Sequence, residues 1–228
     1  MDSKQAPRAW YNELKTFLLY LGFVKSESDA SLFIRKVSNS ILYALVYVDD
    51  IIITGNHNSE VNQAISSLAG RFLIKDLGNL HFFLGIEVLR TAKGITLSQS
   101  KYIHETLSKE NMQDCNSAKT PMSATEVPQL NDGTKPTDAT RYRRVLFTRP
   151  DINFFVNKLS QFMHSPSEVH WKALKRVLRY LQGTIQLALH IQRDNDFKLY
   201  MYSDADWAGD VSDRASTTGY ICFSAKIL

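Results

Sequence analysis

The residues best equipped for chemistry are Asp49 and Asp50, adjacent carboxylates inside the otherwise apolar run ILYALVYVDDIIITG. Flanks this apolar are expected to be buried, and a buried carboxylate without a partner is expensive. Adjacent like charges cost more still unless a cation sits between or beside them. A hairpin bend presenting the pair therefore fits a hard-cation site, since Mg²⁺ is held through one or two carboxylates plus substrate phosphates. Nucleotidyl transfer with two metal ions needs such a pair, because the ions stabilise both the attacking and the leaving oxygen. The same two residues also fit an ordinary solvent-exposed Asp-Asp turn, and residue type alone does not choose between the readings.

A second candidate is cationic. Between positions 141 and 179 the chain carries nine Lys or Arg against only Asp151 and Glu168. Within that block Lys172, Lys175, Arg176 and Arg179 fall on one helical arc of about 100°, with Leu174, Leu178 and Leu181 opposite. One face packs and the other is a cationic stripe, which suits a polyanion such as a phosphate backbone or, equally, a solvated surface.

The elements that must position these groups follow from periodicity. Trp10, Leu14, Phe17, Leu18 and Leu21 recur at helical spacing, and Gly22 is placed to stop that helix. The runs ASLFIRKV and ILYALVYV read as strands joined at Ser38-Asn39-Ser40, and the second continues through the acidic doublet into IIITG. Val61, Ile65, Leu68 and Phe72 predict an amphipathic helix with Asn58 or Ser59 as N-cap. LHFFLGIEVLR, the turn at 91–94 and ITLS predict a second hairpin, followed by a short helix around Tyr102, Ile103 and Leu107. Residues 113–140 lose periodicity and collect Ser, Thr, Asn, Asp, Gly and Pro, the composition of a linker. Ile152, Val156, Leu159 and Met163 mark the next helix. The cationic helix then starts with Ser165 as N-cap, Pro166 at N1 and Glu168 at N3, and ends at Gly183. FKLYMYS and TTGYICFS close the chain as a hairpin around an acidic loop.

Composition excludes several classes. The 228 residues are 44% hydrophobic and 22% charged, the balance of a folded domain rather than of a disordered or collagenous chain. No apolar run reaches the ~18 residues of a membrane span, and the first residues lack the basic and apolar regions of a signal peptide, so a soluble intracellular protein, cytoplasmic or nuclear, is expected. Cys115 and Cys222 are too few and too far apart for a disulfide scaffold or a four-cysteine zinc site, and the six histidines form no HxH or HExxH pair.

In order along the chain, KQAPRAWYNEL, GFVKSESDASLF, LVYVDDIIITGN, IKDLGNLHFFLGIEV, LSQSKYI, TRPDI, HWKALKRVLRYLQGT and YSDADWAGD through STTGY resemble the reverse transcriptase region of copia-type LTR-retrotransposon Pol polyproteins. The resemblance implies an RNA-directed DNA polymerase acting with Mg²⁺ or Mn²⁺ on an RNA or DNA template-primer and dNTPs. By motif, Asp49 and Asp50 match the palm aspartates that hold the catalytic metals, and Tyr47 the aromatic residue near the primer end. Lys4, Gln5, Ala6 and Pro7 match the lining of the incoming-nucleotide pocket, with Gln5 as the contact. FFLGIEV matches the hairpin that grips the primer, and Asp204 the first metal-binding carboxylate of an RNase H domain. Lys172, Lys175, Arg176 and Arg179 would then lie along a template-primer backbone, which proteins hold mainly through phosphates. Trp10, Tyr11 and Trp171 fit either stacking platforms for bases or ordinary core aromatics.

The implied fold is α+β: a partial palm of antiparallel sheet plus helices, a helical thumb or connection, and a truncated RNase H-like hairpin. The corresponding segments are 1–112 for the palm and the start of the thumb, 113–140 for the linker, 141–196 for the helical connection and 197–228 for the hairpin. The family pattern also includes a third palm aspartate and the fingers ahead of KQAPRAW, a longer stretch where this chain has YRRVLFTRPDI, and further RNase H carboxylates after Asp204. With those departures the chain alone is expected to have little or no polymerase activity. The alternatives are a non-catalytic nucleic-acid-binding remnant and an unstable remnant with no biochemical role.

Overall fold

A computed structural model describes residues 6–123, 128–129, 132–143, 149–194, 200–205, 207, 214, 216 and 218–223. The chain is α+β, with antiparallel sheets and helices in two compact units, residues 1–80 and 81–228.

The first unit begins with α1 (Ala6–Tyr20), with Pro7 in its first turn, where a missing N–H costs nothing. Gly22, at φ +84°, ends it. The Gly22 N–H donates to the Leu19 carbonyl and the Phe23 N–H to the Leu18 carbonyl, so two otherwise orphaned carbonyls of the last turn are satisfied. Four strands follow in sequential antiparallel order: β1 (Val24–Lys25), β2 (Leu32–Val37), β3 (Ser40–Tyr47) and β4 (Asp50–Gly55). Along β3 Leu42, Ala44 and Val46 are buried while Tyr43 and Tyr47 are exposed, the period-two alternation of a sheet covered on one face. The cover is α1 with α2 (Asn58–Phe72). Leu14, Leu18, Ala64 and Leu68 join Phe23, Phe33, Leu42, Ala44 and Val46 in one core. The N-cap of α2 is His57 rather than Asn58 or Ser59, and it makes no side-chain capping bond. Arg35 ties β2 to both helices, donating to the Leu21 carbonyl and pairing with Glu60.

In the second unit β5 (Phe82–Phe83), β6 (Ile86–Thr91), β7 (Gly94–Ser98) and β8 (Leu189–Gln192) form a second antiparallel sheet. Its hairpins turn at Leu84-Gly85, both with positive φ, and at Ala92-Lys93. β8 pairs with β7 from far along the sequence, Ile95 opposite Ile191, which local periodicity did not foretell. α3 (Ser100–Lys109), α4 (Ala139–Arg143), a 3₁₀ turn at Pro150–Ile152, α5 (Asn153–Ser160) and α6 (Glu168–Gly183) supply the helices. Ile103, Leu107, Tyr142, Ile152, Leu159, Leu174, Val177, Leu178 and Leu181 form their core, with the three predicted leucines of α6 facing inward.

The start of α6 differs from the expectation. Ser167, not Ser165, is the N-cap: its Oγ accepts from the His170 N–H, and His170 Nδ1 accepts from the Ser167 N–H. Histidine here does what Glu does in the usual motif, while the Ser165 N–H turns back to the Phe162 carbonyl. The final hairpin, β9 (Tyr200–Ala205) with β10 (Thr218–Phe223), pairs as expected, and β9 is exposed along its length.

Candidate catalytic and nucleic-acid-binding sites

β3 and β4 are joined by the two-residue turn Val48-Asp49, with Tyr47 opposite Asp50. Cross-strand partners share a face. Val46 and its partner Ile51 belong to the helix-covered face, so Asp50 and Tyr47 stand on the opposite, uncovered one. Val48 sits at φ +50°, a region costly for a β-branched residue and a form of strain that recurs at functional sites.

The sequence left the exposure of the doublet open, and the structure decides it. Asp49 and Asp50 are both exposed, because they lie beyond Val46, the last buried residue of β3, and β4 is an edge strand. Among the described residues neither carboxylate has an ion-pair or hydrogen-bond partner. The mutual repulsion of the pair is thus met by solvent, leaving hard oxygen donors directed outward. That donor set fits Mg²⁺ or Mn²⁺, both of which prefer carboxylate oxygen and water. Among the described residues no group of three His, Cys, Asp or Glu could hold a metal, so two carboxylates are what this tip offers.

The four cations predicted for one stripe do share α6, with Lys172, Lys175 and Arg179 exposed and Arg176 half-buried. Two have partners that the sequence did not reveal. Arg176 donates from Nε to the Thr120 carbonyl at 3.2 Å and from a terminal amino group to Thr120 Oγ1 at 2.9 Å. Arg179 donates from Nε to the Asn116 carbonyl at 2.7 Å. Lys175 lies 5.8 Å from the centre of the Trp171 ring and Arg141 lies 4.6 Å from it, so this indole is flanked by cations. Trp10 packs edge-on against Phe72 inside the first core, and the Tyr11 hydroxyl donates to the Ala30 carbonyl. Both are half-buried and packed against the core of the first unit.

Gln5, the expected nucleotide contact, lies outside the described residues, as do the acidic loop beyond Asp204, apart from Trp207, and residues 144–148. Asp204 is exposed on β9 opposite Gly219. The doublet and Tyr47 are gathered on one hairpin of the first unit. The cations and Asp204 belong to the second.

Two polar clusters escaped the sequence reading. Arg149, almost fully buried, grips both oxygens of Asp151 at 2.7 Å and donates to the Thr184 carbonyl and hydroxyl, fastening the 3₁₀ turn to the end of α6. Burial alone would push the Asp151 carboxyl up, but the Arg149 fork and charge, with the Tyr180 hydroxyl, hold it below the ordinary range. Asp132 accepts from Ser167 and Thr134, which lowers its pKa to about 2. An Arg-Pro-Asp run beside apolar helix positions was the available hint of the first; nothing local pointed to the second.

Comparison with known proteins adds the lineage. The family described as reverse transcriptase (RNA-dependent DNA polymerase) matches residues 2–124. The chain is 50% identical over 227 residues to the retrovirus-related Pol polyprotein from transposon RE1 of Arabidopsis thaliana, covering 96% of this chain and 16% of that protein. It is 33% identical over 235 residues to the Pol polyprotein from transposon TNT 1-94 of Nicotiana tabacum, covering 96% and 18%. An uncharacterized mitochondrial protein of Arabidopsis thaliana is 40% identical over 190 residues, covering 80% of this chain and 78% of the relative. The chain therefore spans less than a fifth of the polyproteins it matches. No solved structure matches it significantly.

Proposed function

The chain belongs to the reverse transcriptase (RNA-dependent DNA polymerase) family as a copia-type Pol region, and from that premise we propose that Asp49 and Asp50 are the metal-holding aspartates of its nucleotidyl-transfer site. The observation that carries the reading is the geometry of the doublet: two exposed carboxylates at the tip of a core-anchored hairpin, without a countercharge among the described residues, Asp50 standing on the face opposite the one that α1 and α2 cover. Mg²⁺ or Mn²⁺, when bound, supplies the charge stabilisation of the attacking and leaving oxygens. The two aspartates orient that charge at a fixed point of the hairpin. Tyr47, on the same face as Asp50, offers a ring against which a primer end can rest. In this reading Gln5 contacts the incoming dNTP, Lys172, Lys175, Arg176 and Arg179 hold template-primer phosphates, and Asp204 is a metal ligand of an RNase H-like hairpin. Residues 1–112 are then palm and the start of the thumb, 113–140 linker, 141–196 helical connection and 197–228 the start of the RNase H-like part.

The pattern the chain resembles adds a third aspartate to the doublet, and among the described residues no third carboxylate joins it; preorganised electrostatics carries most of phosphoryl-transfer catalysis. The chain by itself is therefore a poor polymerase. The test is primer extension on an RNA template with Mg²⁺ or Mn²⁺, by this chain and by a Pol polyprotein carrying it, each with Asp49→Asn/Asp50→Asn. The polyprotein loses extension in the double variant, and the chain alone extends little or not at all. Extension that survives the double substitution would refute the assignment of the doublet. Robust metal-dependent extension by the chain alone would refute its incompleteness.

The second reading, a non-catalytic nucleic-acid-binding remnant, is favoured by the exposed cations of α6. It predicts salt-sensitive binding without extension in either setting.

A further inference from the structure

Residues 113–120 lie along the cationic side of α6 and make a series of specific contacts with it. The Gln182 side chain donates to the Gln113 carbonyl at 2.8 Å, and the Ala118 N–H donates to the Arg179 carbonyl at 3.1 Å. Arg179 holds the Asn116 carbonyl through Nε, and Arg176 holds Thr120 through Nε and one amino group. The approach is close enough to require a glycine: a Cβ at Gly183 would stand 2.7 Å from Ser117 Cβ. A segment with no hydrophobic periodicity is thus fixed on the helix by hydrogen bonds and by one missing methyl group.

The way the arginines are held matters chemically. A guanidinium presents five donors in a planar fork. With Nε committed to a backbone carbonyl, Arg179 keeps both terminal amino groups without a partner among the described residues. Arg176 keeps one. Each side chain has already lost the rotamer freedom that a flexible surface arginine would lose on binding. Exposed Lys172 and Lys175 flank them, and exposed Lys119 rides on the segment itself.

We propose that residues 113–120 are a positioning strap, which pre-orients Arg176 and Arg179 to receive consecutive phosphates of a nucleic-acid backbone. The inference rests on the reading of α6 as a phosphate-contacting helix and goes beyond it by assigning a role to a segment that carries no catalytic motif. Thr120, Ser117 and Gly183 act through the arginines and are positioning residues, not ligands of the nucleic acid.

The experiment is fluorescence anisotropy of a labelled RNA–DNA duplex with the full chain, at several salt concentrations, each variant first checked for an unchanged melting transition. Arg179→Ala weakens binding and lowers the salt slope by about one, because a phosphate contact is lost. Gly183→Ala removes no charge and displaces the strap: affinity falls roughly fivefold to a hundredfold, the cost of ordering two arginines anew, with the slope unchanged. Ser117→Gly, which removes the atoms in the way, restores affinity in the Gly183→Ala background. Thr120→Val, which deletes one hold on Arg176, weakens binding about twofold and decides the matter if Gly183→Ala does not fold. If the native chain does not bind, or Lys172→Ala/Lys175→Ala leaves binding intact, the phosphate-helix reading fails and the strap with it. If the lysine variant loses binding while Gly183→Ala binds as tightly as the native chain or tighter, the strap alone is refuted.

Discussion

Val48 offers a direct test of how the acidic tip is held. It is a β-branched residue at φ +50°, two-thirds exposed, at the first position of a two-residue turn. The left-handed conformation costs a residue with a Cβ about 1–2 kcal/mol, and a branched side chain lies at or above the upper end. Glycine removes that cost and adds back about 0.4–1 kcal/mol of unfolded-state entropy. The packing forfeited is small, about 0.5 kcal/mol, because so little of the side chain is covered. Val48→Gly should therefore be neutral to stabilising, by up to about 1 kcal/mol. The control is Val37→Gly, a half-exposed valine at the end of β2 with no positive φ, which should lose about 1 kcal/mol. Urea unfolding followed by far-UV circular dichroism reads both as shifts of the midpoint at constant slope. If Val48→Gly loses as much stability as Val37→Gly, the turn is not strained, and the idea that the doublet is held in a costly conformation is wrong.

Three further perturbations probe the second unit. Arg149→Ala removes the fork that ties exposed Asp151 to the end of α6 and leaves the Thr184 carbonyl without that donor, which should cost about 2 kcal/mol in urea unfolding, with Arg149→Lys recovering less than half. Tyr142→Phe deletes a buried hydroxyl that donates to the Leu159 carbonyl at 2.9 Å and should cost about 1–2 kcal/mol, read the same way. Asp132 has a folded pKa of about 2, depressed by Ser167 and Thr134, against about 3.9 when unfolded. Its contribution is complete above the unfolded value and is lost as pH falls toward the folded one. Asp132→Asn should therefore lower stability at pH 7, where that contribution is complete, and flatten the loss between about pH 4 and pH 2, so that variant and native chain converge at low pH.

The sequence was most legible where one residue type decides one geometry. Gly22 stops α1 because only glycine takes φ +84° without strain, and the buried positions of β3 alternate as its hydrophobic pattern demands. The leucine side of α6 was readable for the same reason. Local reading failed where the partner lies far away in the chain. Nothing in residues 189–192 announces a pairing with 94–97, and nothing in residues 113–120 announces that two arginines of α6 hold its carbonyls. The start of α6 was misplaced by two residues because Ser165 and Ser167 are equivalent by type, and the deciding bond comes from His170, outside the usual Glu or Gln pattern. The doublet itself was visible at once. Its exposure was not, since an apolar run does not show where a strand leaves the core.

That exit point is what gives the acidic tip its character. Side chains alternate with period two, so a one-residue slip between β3 and β4 would either turn Leu42, Ala44 and Val46 out of the core or carry Asp50 onto the helix-covered face. The register is pinned at both ends. At the open end Tyr47 pairs with Asp50 across two turn residues; at the far end Asn56 accepts from the Ile41 N–H and donates to the Asn39 carbonyl. The core residues of β3 thus fix the position of the carboxylates without touching them, and the doublet can remain unpartnered because the stabilising contacts lie one residue further in. A tip built this way separates stability from the chemistry proposed for it. Asp49→Asn/Asp50→Asn should relieve the like-charge repulsion and leave the fold as stable or slightly more so, whereas Val46→Ala should destabilise the first unit by about 1–3 kcal/mol through the cavity it leaves. Urea unfolding reads both, and a doublet variant that unfolds more easily than the native chain would mean that the carboxylates hold the hairpin together rather than standing ready for a cation.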